Sequence, residues 1–356
     1  MTSQTTRPRI GVIGGGHLGR IHAKLAAAGS NCELVGVADP SSDSRCLVES
    51  QLNVPTVSDY REWVGAIDGA IIAAPTFLHY EIGSWCLSQG IHTLIEKPIA
   101  SSLQEANELV QLARSHKCIL QVGHVERFNP AWLQVQPHLA AQSARFIEAA
   151  REGTYTGRST DIGIVMDLMI HDIDLVLSAI HSPVERVHAY GWSVLGEHED
   201  FATACLQFQN GAIAQLRASR ISPVAKRQMQ IYTEEGLIEI DFGSGVITRT
   251  TPHLDVADGS RQADQLPPEL RAKVKDFLFT DWLSRLETKA VPGNAIESEQ
   301  REFFNAIQGS GQVTVTGEFG CQALEVATII LDQIALNRPS RGIIPAAAMF
   351  GNTRAA

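Results

Sequence analysis

Three acidic residues and a histidine stand in an otherwise apolar stretch, "VMDLMIHDID", from Val165 to Asp174. Charged groups are costly to remove from water unless they are paired or perform chemistry. At about 100° per residue on a helix, Asp167, His171 and Asp174 share a stripe about 60° wide, and apolar side chains fill most of the remaining surface. Such a helix is buried, so its polar stripe must face a cavity or partners. Three readings stand for the stripe: a satisfied buried network, a metal site, or an acid/base site, which the ordinary titration range of histidine favours. Asp167, one turn before His171, is placed to orient the imidazole or to hold a hydroxyl. Asp172 points elsewhere and reads as a surface or interface charge.

A second reactive feature is "LIEKPIA", where an apolar run ends in Glu96, Lys97 and Pro98. A lysine at the carboxyl end of a sheet strand projects toward a bound ligand, and its ammonium stabilises a hydroxyl as its proton leaves. The alternative is a surface Glu-Lys pair at a strand end.

The third feature is "IGVIGGGHLG", in which Gly14, Gly16 and Gly19 form G-x-G-x-x-G between an apolar run and a helical pattern. Gly14 permits a tight turn, Gly16 lets backbone approach a pyrophosphate, and Gly19 allows close helix packing, with His17 and Leu18 at the helix start. Asp39, at the end of the next apolar run, is placed to accept hydrogen bonds from an adenosine ribose. Its charge repels a 2′-phosphate, which favours NAD over NADP. Arg45 is either a solvated helix charge or a residue reaching back to a phosphate.

These features need elements to position them. From Arg9 to about Gly123, "RIGVIG", "ELVGVAD", "GAIIAAP", "HTLIEKP" and "CILQVG" read as buried strands alternating with helices, a doubly wound parallel sheet of Rossmann type. Ser101 or Ser102 with Glu105 predicts a reciprocal helix cap. Beyond residue 125, a helix over about Ile164 to Ile180 precedes strands at short intervals, with turns at Asn210-Gly211 and Glu235-Gly236. In "TACLQFQ", Ala204, Leu206 and Phe208 alternate with polar neighbours, as in a sheet with one open face. "VADGSRQADQLPPEL" reads as a long loop. The fold class is α/β, with a dinucleotide-binding domain over 1–125. An α+β domain over 126–356 is expected to carry a large open, mostly antiparallel sheet, with its last helix as a candidate to pack back on the first domain.

The formal charge of −10 leaves no basic footprint for nucleic acid or anionic membranes. The six cysteines are scattered, with no close pair of the zinc-knuckle or redox kind, and most are expected to be buried small hydrophobes. The first residues, "MTSQTTRPRI", lack an apolar signal core, and no later run reads as long and apolar enough to span a bilayer, so a cytoplasmic protein is expected.

The glycine loop, "AAPTFLH", "EKP" and "DLMIHDID", in this order, resemble the Gfo/Idh/MocA family of nicotinamide-dependent sugar and cyclitol oxidoreductases over nearly the whole chain. The resemblance implies that Lys97, Asp167 and His171 handle a substrate hydroxyl, and that Ala74, Pro75, Thr76, His79 and Glu96 line the cofactor cleft. It also implies a homodimer or homotetramer built on the open sheet. Many members carry glycine two residues after the aspartate where this chain has Met169, which leaves the substrate subclass open. "GHVERFNPA" with "STDIGIVMDLMIHDIDLVL" is similar to the branch assigned as UDP-N-acetylglucosamine 3-dehydrogenases, which implies a nucleotide-sugar substrate. Arg127 and Asn129 are then candidate substrate contacts and Arg158 a candidate diphosphate partner, each of which could instead be a domain-interface ion pair. Other readings are an inositol or free-sugar dehydrogenase, a glycoside hydrolase that retains NAD, and a non-catalytic NAD-binding scaffold.

Overall fold

The structure is a computed structural model, and it describes residues 7–141, 144–157 and 162–337. Six strands, β1 (Arg9–Ile13), β2 (Glu33–Ala38), β3 (Thr56–Val57), β4 (Gly69–Ile72), β5 (His92–Glu96) and β6 (Leu120–Gly123), pair in parallel in the order β3-β2-β1-β4-β5-β6. Helices α1 (His17–Ala28), α2 (Ser42–Leu52), α3 (His79–Ser88) and α4 (Leu103–His116) connect them. The strand order reverses between β1 and β4, so a crevice opens beyond their carboxyl ends. Every residue of β4 is buried, as both-face burial of an apolar run requires. Ser102 and Glu105 form the expected capping box at the start of α4. Helix α2, foreseen in the sequence only through the helical reading of Arg45, buries only Val48 of its polar run.

The second half builds on α5 (Pro130–Ala141), β7 (Ala144–Thr154) and α6 (Ile170–Ala179). A π-helical turn over Val165–Met169 leads into α6, so the long helix is present but wound wider at Asp167. Strands β8 (Val184–Trp192), β9 (Phe201–Phe208), β10 (Ile213–Ser219), β11 (Ile221–Thr233), β12 (Gly236–Asp241), β13 (Val246–Pro252) and β14 (Leu283–Lys289) complete an eight-stranded sheet in the order β14-β13-β12-β11-β7-β10-β9-β8. Only the β7–β10 pairing is parallel. Both expected turns lie between paired strands, β9 to β10 and β11 to β12. Ala204, Leu206 and Phe208 are buried against α6 and its neighbours, while Thr203, Cys205 and Gln207 face outward. The expected long loop, 256–270, is irregular apart from a short 3-10 turn at Ala263–Gln265; α7 (Leu254–Ala257) and α8 (Pro268–Arg271) overlap its two ends, and α9 (Val274–Phe277) follows it.

Two last helices bind the halves together. Phe303 and Phe304 of α10 (Ala295–Ile307) share a core with Ile10, Ile71 and Leu94 of the parallel sheet. Helix α11 (Gly317–Leu336) packs on α4, α6 and β8. Its 20 residues correct the expectation that no run is long and apolar enough to span a bilayer. Nine of them, including Ala323, Leu324, Ala327 and Ile330, are buried in protein, which accounts for the apolar length. Of the six cysteines, Cys32, Cys86 and Cys321 are buried, Cys118 and Cys205 are partly buried and Cys46 is exposed, so half rather than most are fully buried.

Candidate active site

The glycine loop has the geometry its spacing predicts. Gly14 has φ +104°, and a Cβ there would stand 2.6 Å from the Ala73 carbonyl oxygen. A Cβ on Gly19 would stand 1.8 Å from the Gly14 carbonyl oxygen, so α1 can pack this closely only with glycine. Gly16 differs: a Cβ would meet nothing within 4 Å, and no side chain caps α1. The free N–H groups at this helix start, at exposed Gly16 and His17 and half-buried Leu18, form an open cradle suited to a pyrophosphate. Asp39 accepts from the Gly15 N–H at 2.7 Å and the Ser41 N–H at 2.8 Å, which fixes its carboxylate beside the loop. Arg45 does reach back, but it donates to the Asp39 and Pro40 carbonyls at 2.7 and 3.0 Å.

Beyond β4 and β5, the crevice wall is tied by one histidine. The ring nitrogens of buried His79 lie 2.8 Å from the carbonyl oxygens of Pro98 and Ala74, one on each strand-end loop. Burial holds His79 below the ordinary histidine range, so the neutral ring has a single N–H to donate. This tie joins the loop of Ala74, Pro75 and Thr76 to the strand end that carries Lys97 and Pro98, while the His79 side chain itself is buried. Glu96 also departs from the expected cleft lining, because its carboxylate accepts from His22 Nε2 at 2.8 Å inside the protein.

Lys97 and Asp167, from opposite halves of the chain, meet at the crevice. Lys97 Nζ donates to the Asp167 carbonyl oxygen at 2.7 Å and lies 3.6 Å from Asp167 Oδ1. Their side chains keep 14 % and 24 % exposure, so both are open to a ligand. The Asp167 carboxylate therefore attends Lys97, where the sequence offered it the roles of orienting His171 or holding a hydroxyl. His171 is half-buried, with Nδ1 enclosed and without a hydrogen-bond partner. Burial, then the positive charge of Lys97 and Arg151, holds His171 well below its ordinary value. Burial also lowers Lys97, against the opposing pull of Asp167 and Glu96. The imidazole is thus neutral and able to accept a proton, while the lysine gives one up more easily than in water.

The rest of the aspartate stripe is structural. Asp174 accepts from Arg127 Nε at 2.8 Å, with both residues buried, so the Asp167, His171 and Asp174 trio does not converge on one metal. The Arg127 guanidinium also stacks 5.2 Å from the Phe319 ring centroid, which favours the ion-pair reading over substrate contact. Asn129 donates to Glu126 Oε2 at 3.0 Å and accepts from the Ala131 N–H at 3.0 Å, an arrangement that caps α5. Arg158 lies outside the described residues.

Of the two readings of Asp172, a surface or an interface charge, the structure excludes the surface one. Asp172 is 3 % exposed and takes Arg151 Nη2 at 2.8 Å, while Arg151 Nη1 donates to Glu126 Oε1 at 2.7 Å. Arg151 was missed because β7 was missed: Ile147, Ala149 and Arg151 alternate inward, and that strand pattern flags a buried arginine. Arg227, its register partner on β11, shares the inner face with Met229 and Ile231 yet is exposed, and its charge reaches His171. His124, next after β6, is buried with neither ring nitrogen partnered. Because Glu96 pairs with Gly123 in the sheet, His124 follows β6 where Lys97 follows β5.

A parallel sheet of this order, a glycine cradle at its switch point and an ionisable pair at neighbouring strand ends define a dinucleotide-dependent Rossmann protein. Residues 8–124 match the oxidoreductase family with an NAD-binding Rossmann fold, and residues 134–239 match the GFO/IDH/MocA C-terminal domain. The chain is 32 % identical to the UDP-N-acetylglucosamine 3-dehydrogenase of Acidithiobacillus ferrooxidans, over 90 % of this chain and 95 % of that one. A solved structure of that enzyme superposes with a TM-score of 0.80 at 27 % identity, covering 93 % of this chain and 99 % of the other. Inositol 2-dehydrogenase of Rhizobium meliloti is 23 % identical over 93 % of this chain and 98 % of its own. The chain belongs to the Gfo/Idh/MocA oxidoreductases and binds NAD.

Proposed function

We propose that the protein oxidises a secondary hydroxyl of a sugar, the 3-hydroxyl of a UDP-N-acetylhexosamine, at the crevice between Lys97 and His171. The contact of Lys97 with Asp167 carries this reading, because it sets an ammonium and a carboxylate, both open to ligand, at the strand ends. Gly14, Gly16, Gly19 and Asp39 would hold the dinucleotide. Bound NAD supplies the hydride acceptor at this crevice.

Neutral His171 takes the hydroxyl proton, and the Lys97 ammonium holds the oxygen as negative charge develops on it. Asp167 offsets the lysine charge and fixes its direction. The Lys97 charge is, after burial, the largest influence holding His171 low, so the lysine favours a neutral imidazole ready to take a proton. A nucleotide sugar also needs a cation for its diphosphate. Arg227, exposed on the inner face of β11 near His171, meets that need among the described residues. The outer face of the eight-stranded sheet exposes Tyr190 and Trp192, and it is our proposed surface for a homodimer or homotetramer.

Incubating the protein with NAD and a panel of UDP-N-acetylhexosamines, inositols and glycosides tests the reading. NADH formed with a UDP-N-acetylhexosamine and with no free sugar or inositol supports it. NADH formed only with inositols, glycoside cleavage without NADH, or no reaction would refute it.

A further inference from the structure

Behind Lys97 lies a polar cluster that the reaction does not use. His22 on α1, Glu96 at the end of β5 and Glu299 on α10 are buried, with their ligating atoms within 4.8 Å of one another. The hydrogen bonds assign the histidine tautomer. The Gln300 side-chain nitrogen donates to His22 Nδ1 at 2.9 Å and to the His22 carbonyl oxygen at 3.0 Å. Nδ1 is therefore the acceptor, and Nε2 carries the hydrogen that goes to Glu96 Oε1 at 2.8 Å.

Glu299 is fully buried, and neither of its carboxylate oxygens has a hydrogen-bond partner. Gln121 on β6 donates to the Glu299 backbone carbonyl at 3.2 Å and leaves its own Oε1 enclosed without a donor. Burial, then the charges of Glu96 and Glu302, holds the Glu299 carboxyl well above the ordinary glutamate value. Two buried carboxylates whose oxygens lie within 4.8 Å of each other need either a cation or a proton between them. The tautomer decides against the cation, because His22 Nε2 spends its hydrogen on Glu96 and has no lone pair for a metal.

We propose that Glu299 is a positioning residue: a neutral carboxylic acid whose O–H donates to the Glu96 carboxylate. This closes a chain from Gln300 through His22 and Glu96 to Glu299. The chain joins α10, the cofactor helix α1 and the strand end that aims Lys97. No bond is made or broken in the role; Glu299 keeps its proton throughout turnover. The role in turnover rests on the assignment of Lys97 above, whereas the location of the proton does not.

Infrared spectra of the full chain at neutral pH test the proton directly. Wild type should show the carbonyl band of a protonated carboxylic acid, and E299Q should lack it; no such band, or a band that survives in E299Q, overturns the proposal. A stoichiometric metal found in wild type by elemental analysis and lost in E299Q also overturns it. In turnover, E299L should lower kcat by roughly tenfold through lost alignment of Lys97, and E299Q, whose amide N–H donates in the same place, should recover most of it. Equal losses in both variants, or no loss in either, overturn the positioning role. If E299L fails to fold, the spectra of wild type and E299Q decide alone. If no sugar is oxidised, the spectra still report on the proton, so failure here is distinct from failure of the proposed function.

Discussion

Replacing Glu299 by glutamine should make stability less sensitive to rising pH, by an amount that linkage fixes. The native carboxyl keeps its proton well above 4.5, the ordinary glutamate value, whereas the unfolded chain releases it near that value. Above about pH 4.5 the native state therefore binds more protons than the unfolded state, and stability falls as pH rises, until the native group itself titrates. The slope for one proton is about 1.4 kcal/mol per pH unit. Over pH 5.5 to 7.5, for as long as the native group holds its proton, the wild type should thus lose about 1.4 kcal/mol per pH unit relative to E299Q, which has no proton to lose at that position. The neutral histidines His79, His124 and His171 contribute the opposite slope below about pH 6.5, but they are common to both proteins and cancel in the difference. Urea unfolding of both proteins across this range measures the difference. Parallel stability curves would show that Glu299 is ionised in the folded protein, and would refute the reasoning.

Lys97→Ala and His171→Ala should each lower kcat by about 100-fold or more with little change in NAD affinity, and wild-type turnover in either would remove its role. Because His171 is held below its ordinary value, the acid limb of kcat/KM assigned to it should fall below pH 6.5; a limb at or above that value, absent from the variant's residual profile, would contradict the burial argument. Asp39→Ala should weaken NAD and narrow its advantage over NADP, measured by titration of both cofactors; an unchanged ratio would show that another group reads the ribose. Asp174→Ala leaves the Arg127 charge buried without its partner and should cost about 3–5 kcal/mol in urea unfolding, with a cost under about 1 kcal/mol counting against the ion-pair role. Arg227→Ala should raise KM for a nucleotide sugar while leaving kcat within about threefold, and an unchanged KM would remove it as the diphosphate contact.

Local chemistry was the most legible part of the sequence. Gly14 and Gly19 announced their roles because each satisfies a steric demand made by residues only a few positions or one strand away. Lys97 was legible for a similar reason, as a charge ending an apolar run that could only be a buried parallel strand. The helical stripe was half legible. Helical periodicity placed Asp167 and His171 correctly on one buried helix, but it said nothing of Arg127, whose approach takes Asp174 away from the crevice. Asp172 failed for the same reason, since its partner Arg151 sits on a strand hidden in the mixed run "ARFIEAARE". Glu299 was silent: on α10 it is one acidic residue among several in "ESEQREFF", and only folding brings it to Glu96. Periodicity tells which face is buried, and it does not tell what that face meets.

The most direct measurement uses UDP-N-acetylglucosamine carrying deuterium at carbon 3 of the sugar, incubated with NAD and the protein, with the reduced cofactor analysed by mass spectrometry. Deuterium recovered in the reduced nicotinamide is the predicted result for wild type, with the signal lost in Lys97→Ala. Reduced cofactor without deuterium would place the oxidised carbon elsewhere, and no reduced cofactor at all would contradict the account.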